Sequence, residues 1–434
     1  MRRHRRKAPK VQAPTPEAVE IKSLGAGGDG LSTLADGTRL YVEGALPGET
    51  VIARPFAKKA DGWAADVQSI ETASPDRVPP PCPHAAACGG CQLQHVNTEA
   101  QTGFKQGLIE DALAKRGLGD VSVGPLIIIP AGERRRLDLG IKAGRLGLKA
   151  RRSHLLVEIE DCLLQRPKLR ALIQPLRGIV SKDWGEGRIL LTEADNGIDM
   201  LVTSPLDPDL ALREALAAFA ADQGITRLSW RRSDRETPEP MIVLANPTLA
   251  LSEATITLPP GPFLQASRKA EDTLVAKALE LAGPPPKKSA RALDLFAGIG
   301  PFALALARAK WSVLAVEVNE PALRALKKAA GSSALGGRIT TETRDLDRRS
   351  LEPAELKTAD LALFDPSRAG AAAQAEHLAV SSIPTIIAVS CNPKTFARDA
   401  RILVDGGYRL EAVTPVDAFV HSAHVEVIAK LCRT

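Results

Sequence analysis

Beyond residue 262 the chain repeats one unit, a short apolar run followed by an amphipathic helical stretch. The apolar runs fall at 291–296, 313–317, 361–365, 386–390 and 425–431. Short runs buried on both faces and separated by helices are satisfied by a parallel sheet covered on each side. Residues 263–434 are therefore expected to form a doubly wound, Rossmann-like α/β domain that ends in an edge hairpin. Such sheets bind ligands beyond the carboxyl ends of their strands, so the residues that follow each run carry the functional information.

The first run leads through Leu293-Asp294-Leu295-Phe296 into Ala297-Gly298-Ile299-Gly300 and a helix with Pro301 in its first turn. Glycines there let the backbone approach a ligand, and Glu317, at the end of the next run, is placed to accept hydrogen bonds from ribose hydroxyls. The turn also satisfies the loose dinucleotide pattern. Asp294, inside the strand, favours S-adenosylmethionine over a nicotinamide cofactor. The run at 361–365 ends in Asp365-Pro366, which puts a second carboxylate on the same sheet edge, with Arg368 as a candidate phosphate contact. The run at 386–390 ends in Ser390-Cys391-Asn392-Pro393. A lone cysteine is most often a small buried hydrophobe, but a thiol at a strand end among carboxylates is placed like a nucleophile. His421, His424 and Glu426 crowd the approach to the last run, with no further ligand at metal-binding spacing. An acid–base role beside the cysteine suits them better.

The remaining chain divides by composition. Residues 1–14 hold six Lys or Arg and no acid, which equals the net charge of +6, and read as a disordered basic arm suited to a nucleic-acid partner. Short alternating runs broken by glycine turns across residues 15–75 predict an OB-like β-barrel. A proline-rich stretch, Ser74 to Pro81, closes it. Residues 76–262 mix strands and helices without a βαβ rhythm and are expected to form a central α+β domain. That domain opens on Cys82, Cys88 and Cys91, a density best explained by metal binding, with Cys162 the leading fourth ligand and His84 an alternative. Four thiolates suit tetrahedral zinc and a four-iron cluster equally. No apolar stretch is long enough to span a bilayer and no apolar segment follows the basic start, so a cytoplasmic protein without membrane association is expected.

Taken in this order, the segments resemble the bacterial RNA 5-methyluridine methyltransferase family, most closely its iron–sulfur members that act on 23S ribosomal RNA. The resemblance runs from about Val19 to the C-terminus. It implies a TRAM domain at 15–75 and a [4Fe-4S] cluster on Cys82, Cys88, Cys91 and Cys162. Phe263-Leu264-Gln265 resembles the family's Phe-x-Gln motif, and Ser390-Cys391-Asn392-Pro393 with Arg398-Asp399 its nucleophile motif. It further implies that Gln265, Phe296, Glu317 and Asp365 contact S-adenosylmethionine, with Asp345 towards the adenine. Cys391 is then the nucleophile and Glu426 the base. Departures from the family pattern are Ala297 and Pro301 in the glycine turn, Ala266-Ser267 after Gln265, and Val420 after Phe419.

The implied reaction is methylation of uracil C5 through a Cys391–C6 adduct on a base drawn out of its stack. The implied partner is ribosomal RNA and the implied state a monomer. A transfer-RNA enzyme and an inactive RNA-binding iron–sulfur protein are the alternatives, and a nicotinamide oxidoreductase is the least favoured. With nine Phe, four Trp and two Tyr in the chain, the candidate stacking partners are few, namely Phe104, Trp184, Trp230 and Phe419. Arg134–Arg136, Arg151-Arg152 and Arg231-Arg232 are candidate phosphate contacts.

Overall fold

The structure, a computed structural model, describes residues 13–434, so the expected basic arm lies outside the described residues except for its last two positions. The chain forms two compact units. One comprises Met1–Ala85 in its described part, Cys91–Phe104 and His421–Ala423, and the other Ala86–Gly90, Lys105–Val420 and His424–Thr434.

The first unit is built on six strands: Glu17–Glu20, Ser23–Leu24, Gly30–Thr33, Arg39–Glu43, Thr50–Lys59 and Gly62–Thr72. Glu17–Glu20 and Ser23–Leu24 stand at opposite ends of the pairing order yet are joined by Ile21 and Lys22 alone. A sheet whose two edges are tied that closely must curl on itself, as a barrel does. Alternate residues turn inward, so Leu40 and Val42 pack with Val19, Val51, Ala53 and Trp63. Buried Glu49 receives the Leu46 amide and ion-pairs with Arg77, which anchors the proline-rich stretch to this unit.

In the second unit, a central sheet runs in the order Leu156–Val157, Arg145–Lys149, Arg136–Lys142, Gly187–Ala194, Gly197–Thr203, Ile225–Arg231 and Glu239–Val243. Helix Pro167–Ile179 lays Leu169, Leu172, Ile173 and Leu176 on one side at helical spacing. Helix Leu210–Asp222, capped by Asp209, adds Leu216 and Ala220 to the same core. Trp184 and Trp230 belong to this core rather than to an RNA-facing surface. They are 1% and 5% exposed, meet edge to face at 5.0 Å, and the Trp230 indole donates to the Leu206 carbonyl.

The C-terminal sheet has strands β1 (Arg291–Leu295), β2 (Ser312–Glu317), β3 (Ile339–Thr343), β4 (Leu361–Phe364), β5 (Thr385–Ser390), β6 (Tyr408–Asp417) and β7 (Glu426–Arg433). Their order is β3-β2-β1-β4-β5-β7-β6, and Ile127–Ile128 adds an eighth strand beside β6. The first five are mutually parallel, whereas β7 runs antiparallel to both β5 and β6. Helices Arg268–Ala282, Pro301–Arg308 and Glu320–Ser332 share one core cluster with this sheet, and Ala372–Ala379 and Pro393–Asp405 share a second. The doubly wound arrangement and terminal hairpin therefore match the pattern of apolar runs. β3 and β6 escaped that pattern because Ile339–Thr343 is mostly polar, while a bulge between Leu410 and Ala412 and a proline at 415 break the alternation of β6. Among the described residues, no helix is long and apolar enough to cross a membrane.

Gly300 shows how tightly the turn after β1 is built. It caps helix Pro301–Arg308 at φ +82°, and a Cβ there would lie 2.5 Å from the buried Leu326 side chain. Gly300→Ala is expected to lower stability by about 2 kcal/mol, measured by urea unfolding, through left-handed strain combined with crowding.

Candidate active site

Register brings the expected site residues together. Leu295 pairs with Val316 and with Phe364, so the next residues, Phe296, Glu317 and Asp365, emerge side by side at one sheet edge. The antiparallel β5–β7 ladder ends at Ser390 opposite Val427, which leaves Cys391 and Glu426 adjacent at the same edge. These five residues and Gln265 line one cleft of about 510 Å³, a volume typical of small-molecule sites. Asp345 is not among the lining residues. Asp347 takes that wall, while Asp345 accepts the Asp347 amide at 3.1 Å and pairs with Arg348. Two residues of offset in a loop without periodicity carry no sequence signal.

The turn after β1 is strained as binding turns often are, with Phe296, a non-glycine residue, at φ +63° and Gly298 at +56°. The Gly298 amide donates to Glu317 Oε2 at 2.9 Å and the Asn319 amide to Oε1 at 2.8 Å, so Glu317 braces the turn from the end of β2. Gln265 Nε2 donates to Asp365 Oδ2 at 3.0 Å. Asn392 caps helix Pro393–Asp405 and donates from Nδ2 to the Arg368 carbonyl at 3.0 Å. Cys391 thus stands just before a helix N-terminus, where the macrodipole favours a thiolate. Asp399 accepts the Ala371 amide at 2.8 Å and is paired with Arg398, which secures the Asp365–Gly370 loop against that helix.

The electrostatics of the cleft oppose negative charge. Burial pushes the Cys391 thiol up to about 11, with further upward pressure from Glu426 and Asp365 against a smaller pull from Arg368. Glu426, 3% exposed, is raised by burial and then by the charge of Asp365. Asp365 is raised by burial, against the Gln265 hydrogen bond, although its position in the open cleft leaves it part-exposed. Beneath them Asp294 is fully buried. Burial lifts it to about 8, against a weaker downward pull from the Ala303 amide. His424 is outside the cleft lining. Burial and then Arg368, Arg134 and Lys105 hold it below the usual imidazole range.

Other sequence candidates fall elsewhere. Arg134 lies over the Phe419 ring at 5.4 Å, whereas Arg135 is buried in an ion pair with Glu271. Phe104 is part-buried and packs in the first unit with Leu46, Leu93 and Val96. Cys82 and Cys91 belong to the first unit, Cys88 and Cys162 to the second. Among the described residues, no group of three or more His, Cys, Asp or Glu side chains is arranged to hold a metal ion. Cys88 forms a bridge with Ala150, and a Cβ on Gly89 would lie 3.0 Å from the Ala150 backbone, so this close approach requires the glycine.

Comparison with known proteins agrees with this geometry. A family model described as tRNA (Uracil-5-)-methyltransferase matches residues 259–433. An uncharacterized RNA methyltransferase of Rhizobium meliloti is 39% identical over 95% of this chain and 98% of its own. A 23S rRNA (uracil(1939)-C(5))-methyltransferase of Halomonas elongata is 34% identical over 94% of this chain and 87% of its own. Among solved structures, the Pyrococcus abyssi tRNA (uracil-54, C5)-methyltransferase in complex with S-adenosyl-L-homocysteine shares the fold, with a TM-score of 0.74 at 24% identity, covering 95% of this chain and 99% of that one. The chain is a methyltransferase and belongs to the RNA (uracil-5-)-methyltransferase family.

Two measurements probe the cleft. Alkylation of Cys391 by iodoacetamide, followed by mass spectrometry, is expected to be slow at neutral pH and to accelerate towards pH 11, and Glu426→Gln should accelerate it by removing a neighbouring negative charge. Asp294 favours the folded state while protonated, and that contribution is lost as pH rises from the unfolded value near 4 through about 8. The Tm of Asp294→Asn relative to wild type should therefore increase across that window.

Proposed function

We propose that this protein methylates uracil C5 in RNA, with ribosomal RNA as the substrate, using S-adenosylmethionine and a covalent Cys391–C6 intermediate. The observation that carries this reading is the adjacency of Cys391 and Glu426 at the end of the β5–β7 ladder, in a cleft that also holds Asp365 and the glycine turn. The 23S ribosomal RNA specificity of the Halomonas elongata relative supports the choice of RNA. A transfer RNA is the second substrate to test, because both the family description and the Pyrococcus abyssi structure name one.

The cleft suits a cationic cofactor, since burial raises Asp365 and Glu426, the Asp365 charge raises Glu426 further, and a positive charge would relieve both. Gln265, Phe296, Glu317 and Asp365 would hold S-adenosylmethionine, which when bound supplies an electrophilic methyl group. Cys391 would give its proton to solvent and add to uracil C6, which places the electron pair of the C5–C6 double bond on C5; C5 would then accept the methyl group as its bond to the cofactor sulfur breaks, with S-adenosylhomocysteine the leaving group. Glu426 then takes the C5 proton, the double bond re-forms, and the Cys391 sulfur leaves with the electrons of the S–C6 bond. Burial that raises Glu426 makes it a better acceptor than an ordinary carboxylate. It also requires a higher pH to ionise.

Cys82, Cys88, Cys91 and Cys162 are the proposed ligands of a [4Fe-4S] cluster. Four thiols form the donor set such a cluster needs; Cys91 is buried and the other three are half-buried. Their spacing in the sequence and this donor chemistry support the proposal. Iron and acid-labile sulfide in anaerobically purified protein should reach about four of each per chain, as the cluster formula requires. Zinc in their place would replace the cluster with a tetrahedral metal site.

Transfer of tritium from labelled S-adenosylmethionine to unmodified ribosomal RNA tests the activity. Cys391→Ala should abolish it. Glu426→Gln should lower kcat by about 1000-fold and accumulate an RNA–protein adduct that survives denaturing electrophoresis. Because Glu426 must be ionised, the wild-type rate should fall with acidification at a pH well above the ordinary carboxylate range. Methyl transfer retained by Cys391→Ala would eliminate the covalent route, and labelling of transfer RNA alone would reassign the substrate.

A further inference from the structure

The loop that carries Gln265 is held from behind by a side chain of the central sheet. Arg135 immediately precedes strand Arg136–Lys142 and is 1% exposed. Its amide donates to the Ala266 carbonyl at 3.1 Å, and its carbonyl accepts the Glu193 amide at 2.8 Å, so its backbone stitches the 263–267 loop to the central sheet. Its guanidinium adds a second layer of contacts. Nε donates to the Gln265 carbonyl at 3.2 Å, while Nη1 and Nη2 donate to the two oxygens of Glu271 at 3.3 and 2.7 Å. Glu271, 2% exposed, sits in the first turn of helix Arg268–Ala282 and lines the cleft. On the other side of the same loop, the Gln265 carboxamide donates to Asp365. Continuous hydrogen bonding therefore runs from the central sheet, through Arg135 and Gln265, to a carboxyl group at the reacting edge.

A buried ion pair is a poor source of net stability, because desolvating both charges consumes most of what their attraction supplies. Its geometry is the more informative property. The rigid guanidinium fork grips Glu271 with two nitrogens and still reaches the Gln265 carbonyl with the third, which a lysine ammonium on a flexible stem cannot reproduce. Resting on the reading of this cleft as a uridine-methylating site, we propose that Arg135 and Glu271 are its positioning pair: together they fix the main chain at Gln265 so that its carboxamide is presented to Asp365. Neither residue touches the reacting atoms in this role; both act through Gln265.

The role has a consequence that a merely structural contact lacks. A hydrogen bond donated to Asp365 favours its ionised form, so releasing Gln265 makes Asp365 bind its proton more tightly. The charged and titratable groups sharing the cleft with Asp365 are Cys391, Glu426, Glu317, Asp347, Glu271 and Arg368, with Asp294 beneath. Glu426 feels the Asp365 charge directly. A protonated Asp365 no longer raises Glu426, the group that must be ionised, so loss of the clamp should move the acid limb of the pH–rate profile downward.

The test compares Arg135→Lys, Glu271→Gln and Gln265→Leu with wild type, using tritium transfer to ribosomal and transfer RNA across pH alongside thermal unfolding. Arg135→Lys should stay folded yet lose about 100-fold in kcat, the scale of a small misplacement of a reacting group. Its acid limb should shift downward, as in Gln265→Leu. Glu271→Gln, nearly isosteric, should show the same shift and serves as the readout if the lysine variant fails to fold. An unshifted profile in the folded variants, with activity falling only as the folded fraction falls, would overturn the inference while wild-type methylation still stands. A wild-type protein that transfers no methyl group to uridine in either RNA would overturn the functional reading and this inference with it.

Discussion

In-register pairing of β1, β2 and β4, together with the antiparallel closure of β5 on β7, is the constraint on which the site depends. Hydrogen-bonded ladders allow only discrete registers, and a slip of one residue would turn every side chain of a strand to the opposite face. Because Leu295, Val316 and Phe364 are locked as neighbours, Phe296, Glu317 and Asp365 must emerge together. The end of the β5–β7 ladder places Cys391 beside Glu426 in the same way. Candidate site residues from five distant stretches of chain thus converge without any of them having to organise the backbone alone.

The cleft formed by this convergence is electrostatically uncomfortable. Three carboxyl groups, Asp294, Asp365 and Glu426, are raised by burial, and the thiol beside them is raised as well. A fold selected only for stability would not gather such groups at one edge, since each opposes the charge of the others. The discomfort has chemical uses. A carboxyl group that holds protons more tightly than usual is a better proton acceptor once ionised, and crowded negative potential favours a cationic ligand. Helix Pro393–Asp405 provides a modest opposing field at Cys391 through its N-terminus.

Much of this site could be read before the structure. Gln265, Phe296, Glu317, Asp365, Cys391 and Glu426 all occupy the cleft, because strand ends are marked by the switch from apolar to polar residues and turns by glycine and proline. What escaped was whatever lacked a period. Asp347 rather than Asp345 faces the cleft, since loop residues have no face until neighbours impose one. Trp184 and Trp230 were candidates for stacking on bases, yet they fill the central core, where their large apolar surfaces are removed from water. Arg135 reads like one member of a basic surface run and is instead buried behind the Gln265 loop. An arginine pattern on a strand does not reveal which guanidinium turns inward.

The sequence by itself determined the class of the C-terminal sheet, the turn after β1 and the chemical identity of the groups at the strand ends. Those follow from local patterns, where burial, glycine and proline act over a few residues. Only the tertiary structure decided the pairing register, the adjacency of Cys391 and Glu426, the raised proton affinities, and the buried Arg135–Glu271 pair. Each depends on surfaces brought together from far apart in the chain, and a desolvation or hydrogen-bonding effect exists only once those surfaces have met.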